Sequence, residues 1–190
     1  MSLIPFGFWA ASGAGGGGAA YDLLETTTLT SSASSVTFSG LGSYSDYAHL
    51  QIRIVARNDS AYNGGTAYLH MNSDTGNSYS RHYFQGNGST VTAVGQADRD
   101  FMDAGQTAGG NLGSNIFAAS VTDILDFSST TKKTTMRTLS GVAGGTFNVV
   151  KFGSALYNNT AAVTNLNFYA GSTDNFVAGS RFSIYGIKGA

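Results

Sequence analysis

Leu50-Gln51-Ile52-Arg53-Ile54 alternates apolar and polar residues without a break, and that alternation decides the fold. Successive side chains of an extended strand point to opposite faces, so a period of two marks a sheet with one face in a core and one face in water. The same signature returns in Ala67-Tyr68-Leu69-His70-Met71, in Val36-Thr37-Phe38 and in Phe182-Ser183-Ile184-Tyr185. Val163-Thr164-Asn165-Leu166-Asn167-Phe168 follows it less strictly. The stretch from Asn115 to Leu125 is more continuously apolar, and its β-branched content marks a central strand rather than a helix.

Between these runs stand turn signals: Asn63-Gly64-Gly65, Gly76-Asn77, Gly86-Asn87-Gly88, Gly109-Gly110-Asn111, Gly144-Gly145 and Asn158-Asn159. Candidate strands lie near 21–29, 35–39, 47–57, 65–72, 78–85, 90–94, 114–127, 132–140, 146–157, 163–169 and 180–188, with one or two expected to fail. Short strands at this spacing belong to a sandwich or barrel, not to a parallel α/β sheet. The expected fold is an all-β, jelly-roll-like antiparallel sandwich over residues 21–190, preceded by an extended arm over residues 1–20.

The arm has a different composition. Leu3, Ile4, Phe6, Phe8 and Trp9 form an apolar plug holding the sole Pro and the sole Trp, and a Gly/Ala string follows. Such a string carries too few side chains to fold by itself. The plug is therefore expected to anchor the protein on a partner's surface. No Lys or Arg precedes the apolar run, and Pro5 and Gly7 interrupt it, so a cleaved signal peptide is not expected. No apolar run reaches the length of a membrane span.

Lys and Arg number 10 against 11 Asp and Glu, a net charge of −1 that excludes an electrostatic nucleic-acid binder. Only 11% of residues are charged. That is sparse for the surface of a free monomer and points to surfaces covered in an assembly. The domain lacks Pro to guard its sheet edges, which points the same way, toward a homo-oligomer. With no Cys there is neither a disulfide framework nor a thiolate metal site.

Catalytic signatures are missing. Glu25 is the single Glu, so a pair of facing carboxylates would have to come from Asp. The densest group, Asp98-Arg99-Asp100-Phe101-Met102-Asp103, has spacing for Ca²⁺ ligands. It lacks the Gly and terminal Glu of an EF-hand loop, and a polar loop with a local Asp–Arg pair is the preferred account. His49, His70 and His82 show no metal-ligand spacing and are expected to be structural or surface residues. No cofactor or metal and no enzymatic activity is expected. The one binding hint is a set of aromatic and amide residues expected to be exposed: Tyr62 and Asn63, Tyr83 within His82–Gln85, and Tyr157 with Asn158. Such groups stack on sugars and hydrogen-bond to them, although strand ends that happen to carry Tyr look the same in sequence.

Taken in order, several stretches resemble a family of small virion proteins of tailed bacteriophages. They are Tyr21-Asp22-Leu23-Leu24-Glu25-Thr26-Thr27-Thr28-Leu29, His49-Leu50-Gln51-Ile52-Arg53-Ile54-Val55-Ala56-Arg57, Asp123-Ile124-Leu125-Asp126-Phe127 and Ala178-Gly179-Ser180-Arg181-Phe182-Ser183-Ile184-Tyr185-Gly186-Ile187-Lys188. The resemblance implies a β-sandwich component on the outer surface of a phage particle. The expected role is a capsid decoration protein of cement or head-fibre type, docked through its arm on the major capsid protein or a tail component. By analogy with other virion jelly rolls it would be a trimer. The alternative is a tail-fibre or tail-tip adhesin that binds a host-surface glycan.

Overall fold

A computed structural model describes residues 21–171 and 173–189, so the arm and its plug lie outside the described residues. Twelve strands run through the described chain. The first six are β1 (Tyr21–Thr28), β2 (Ser35–Ser39), β3 (His49–Ala56), β4 (Gly64–Met71), β5 (Tyr79–Gly86) and β6 (Val91–Arg99). The rest are β7 (Met102–Ala108), β8 (Ala118–Leu125), β9 (Thr135–Ala143), β10 (Asn148–Tyr157), β11 (Asn165–Tyr169) and β12 (Arg181–Ile187). A single 3₁₀ turn spans Leu41–Tyr44.

Eight strands form one sheet in the order β1-β12-β3-β8-β9-β10-β5-β6, and four form the other in the order β2-β11-β4-β7. Every ladder is antiparallel, and the chain crosses repeatedly between the sheets, as expected of a jelly-roll-like sandwich. The expected strands are all present, with ends shifted by a few residues. One strand, β7, was missed. Its first two residues, Met102 and Asp103, closed the stretch read as a polar loop, and the strand is buried along its whole length, so it lacks the alternation that marks a half-buried strand.

The inward residues of the quoted strand, Leu50, Ile52 and Ile54, are buried in the main core with Leu69, Phe168, Phe182 and Ile184. Phe182 meets Phe168 at 5.7 Å and Phe176 at 4.9 Å between ring centres. A smaller cluster of Ala108, Leu112, Ala118, Val142 and Val149 fills one end. There Arg57 is buried and donates to the carbonyls of Gly110, Leu112 and Gly113 at 3.0, 2.7 and 2.8 Å. These bonds hold the loop between β7 and β8 and satisfy a cation that has no carboxylate partner among the described residues.

Between the two clusters the interior is polar. β7 is the outer strand of the small sheet, its one ladder being with β4 apart from a parallel bridge between Ala108 and Arg57, and it lies against the large sheet. Its unpaired carbonyls find hydroxyls there: Thr122 Oγ1 donates to Ala104 at 3.0 Å, and Thr138 Oγ1 to Asp103 at 3.3 Å. Gly105, at φ +135°, lets β7 approach so closely that a Cβ would collide with Ser120. The Asp103 carboxylate accepts from Arg81 of β5 and from Lys151 Nζ of β10 at 2.6 Å. Asp103 therefore joins the two sheets instead of pairing locally with Arg99, which corrects the loop expectation.

Asp103→Ala would strand two cations in this interior, where losing one member of a buried ion pair costs about 3–5 kcal/mol. Denaturant unfolding should show a loss of that order, and Asp100→Ala, on an exposed position of the same segment, should change stability by less than about 0.5 kcal/mol.

Candidate functional site

Alternation normally sends the apolar residues of a strand inward. In the middle of β8 and β9 it does the reverse. Ser120, Thr122, Thr138 and Ser140 face the interior, where they meet β7, while Val121 and Leu139 face outward. β10 continues the inversion, with Lys151 inside and Val150 and Phe152 outside. Register aligns these outward residues in a row across five strands: Arg53, Val121, Leu139, Phe152 and Phe84 are direct neighbours. Val55, Ala119, Gly141 and Val150 make a second row beside it. The Phe84 and Phe152 rings lie 5.7 Å apart. Val121, Phe152, Phe84, Leu139 and Val150 remain between 41% and 62% exposed, far more than a core residue retains. The large sheet thus carries a continuous apolar outer face.

Toward the Tyr21 end this face becomes polar. Arg137 pairs with Asp123 at 3.2 Å, and Gln51 donates to Asp123 at 2.9 Å. Tyr21 stacks on Tyr185 at 5.0 Å, and the Arg53 guanidinium lies over both rings.

The outer face of the small sheet differs. Ser35, Thr37, Ser39, Asn165 and Asn167 give it an ordinary wet surface, interrupted at one corner by aromatics. Tyr68 of β4 meets Phe101 at 4.4 Å and Tyr169 of β11 at 5.4 Å. Tyr169 stacks on His70 at 4.6 Å, with its hydroxyl 3.2 Å from His70 Nε2. Phe101 has the guanidinium of Arg81 and that of Arg99 each 4.8 Å from its ring centre. Beside these rings opens a cleft of about 600 Å³, with Tyr62, Thr66 and Asp100 among its lining residues.

The residues expected to contact sugar do not converge. Tyr62 and Asn63 are exposed in the β3–β4 loop, Tyr62 at the cleft. Tyr83 is half-buried on the inner face of β5, with Lys151 Nζ 3.8 Å from its ring centre. Tyr157 is buried, which corrects its expected exposure. It stacks on Tyr79 at 5.1 Å, and its hydroxyl donates to Asp74 at 3.1 Å, so the strand end before Asn158 closes the core. Asn158 is exposed and its N–H donates to the Ser78 carbonyl.

Among the described residues no three His, Asp or Glu side chains gather as a metal site. His49 accepts from the Asp126 N–H at 3.0 Å, and Lys132 pairs with Asp126 at 2.8 Å. Sequence reasoning missed Tyr68, Phe101 and Tyr169, whose clustering depends on long-range pairing, and missed Val121, Leu139, Val150 and Phe152 as an outer face. The signal for the face was present in the register of Ser120 and Thr122 against Val121, but only knowledge of which side β7 covers makes it legible.

No family model, curated protein or solved structure matches this chain.

Burial lowers the pKa of His70 below its ordinary value near 6.5. The Asp100 carbonyl and the charges of Asp100 and Asp74 oppose that shift without reversing it. The unfolded chain therefore takes up a proton before the folded one does. His70 contributes fully above about pH 6.5, and its contribution is lost as pH falls from there through the lower folded value. Urea unfolding at pH 7.5 and 5.5 should show a drop for the native chain that is smaller in His70→Gln.

Proposed function

We propose that this protein is a structural component of a phage particle, a capsid decoration protein that assembles as a homo-oligomer on the particle's outer surface. The observation that carries the reading is the inverted patterning in the middle of β8, β9 and β10, which leaves apolar residues outside and a layer of hydroxyls and ion-paired charges inside. An isolated domain gains nothing from such a face, whereas an assembling subunit covers it.

Burying a large apolar side chain contributes about 1.5–3 kcal/mol, and these five are already half-covered. Closing the face would therefore contribute several kcal/mol before the costs of association. Repeated over a symmetric surface, such modest contacts sum to a stabilising layer without any catalytic group.

Two features of the sequence support the same role: the virion-protein resemblance, which runs through β1, β3, β8 and β12, and the sparse charge. Leu3, Ile4, Phe6, Phe8 and Trp9 enter from sequence alone, as a second anchor that reaches the major capsid protein or a tail component. The trimeric state is carried by analogy with other virion jelly rolls.

Leu139→Asp with Phe152→Asp places two charges on the face without touching the core. At micromolar concentration the native chain should sediment above its monomer mass of 19.6 kDa, and the double variant should sediment as a folded monomer with reduced occupancy on particles. A native monomer, together with undiminished occupancy of the variant, would overturn the proposal.

A further inference from the structure

We propose that the aromatic corner of the small sheet is a binding site for a neutral saccharide, with Tyr62, Tyr68 and Tyr169 as stacking surfaces and the Asp100 carboxylate as hydroxyl acceptor. The site lies on the sheet opposite the apolar face and does not depend on the assembly proposal. It moves the sugar-contact expectation from Tyr83 and Tyr157 to residues that share one cleft.

The chemistry follows from three observations. First, the sheet rings, Tyr68 and Tyr169, are held in place, while Tyr62 stands exposed at the cleft's edge. Tyr68 lies between Phe101 and Tyr169, Tyr169 is fixed by its stack on His70 and its bond to Nε2, and Phe101 is flanked by two guanidiniums. Fixed rings spare a ligand the cost of ordering them. Second, the cleft of about 600 Å³ lies within the range of small-ligand sites, about 300–1,000 Å³. A pyranose presents an apolar C–H face to stack on tyrosine and hydroxyls at its rim to hydrogen-bond.

Third, the polar groups select against other ligands. Asp100 is exposed, and among the described residues its carboxylate has neither an ion pair nor a hydrogen bond. Asp174 offers a second carboxylate to the cleft. Carboxylates accept strongly from hydroxyl donors and repel phosphate, so a stacked nucleobase on a charged backbone is disfavoured although its ring would fit. The outward residues of β2 and the other outward residues of β11 are Ser, Thr and Asn, so the aromatics are not the general covering of this sheet.

The test is a binding panel on the full chain. The probes are neutral oligosaccharides of two to six units built on glucose, galactose, mannose and N-acetylglucosamine, with a ten-nucleotide oligothymidylate as control. Tyr62→Ala and Asp100→Asn alter exposed positions and should leave thermal unfolding unchanged. At least one oligosaccharide should bind the native chain, and each substitution should weaken it tenfold or more. Leu139→Asp with Phe152→Asp should leave that binding intact, which separates this result from the fate of the assembly proposal. Failure of the whole panel at millimolar concentration would overturn the inference. So would binding indifferent to both substitutions, or salt-sensitive capture of the oligothymidylate alone.

Discussion

An edge strand inside a protein is an unusual constraint, because its free carbonyls and N–H groups have no ladder to join. β7 lives under that constraint, and much of the sandwich is arranged to meet it. Thr122 and Thr138 supply hydroxyls to its carbonyls, Arg81 and Lys151 supply charge to its Asp103, and Gly105 supplies the closeness that both need. Leaving such groups unpaired costs about 1–3 kcal/mol each, so the solution must be nearly complete. Ser120 and Ser140 are packed in the same layer with hydroxyls that find no protein partner, a sign that small size was the stronger requirement there.

The outer face follows from this inner one. A strand has only two faces, and in the middle of β8 and β9 the inner positions are taken by Ser and Thr for the sake of β7. The apolar residues between them, Val121 and Leu139, stand outside, and β10 and β5 extend them with Phe152 and Phe84. The polarity of the middle of the sandwich and its sticky exterior are two sides of one pattern.

Most of the architecture could be read from residues 21–190. Period-two runs and apolar stretches set off by Gly and Asn turns located eleven strands, because half-buried strands and tight turns have local signatures. β7 had none, since both its faces are covered and its Asp103 reads as solvated until Arg81 and Lys151 are brought to it. Tyr157 misled for a related reason: a Tyr beside Asn158 and Asn159 looks like a turn, but its stack on Tyr79 is created by the β5–β10 register. The aromatic corner was illegible as well, because Tyr68, Phe101 and Tyr169 are separated by 33 and 68 positions in the chain and meet only through sheet pairing.

β1 and β12 pair so that Tyr21 stands opposite Ile187. The described chain thus leaves and re-enters the sandwich at one corner of one edge, next to each other. Topologically the domain is close to a closed ring with a single seam. Such a ring has no intrinsic first strand: bridging the seam and opening a hairpin elsewhere, at Asn87 for instance, would preserve every ladder. Whatever is spliced at the seam, on either side of it, meets a body whose twelve strands are already paired into two sheets without it.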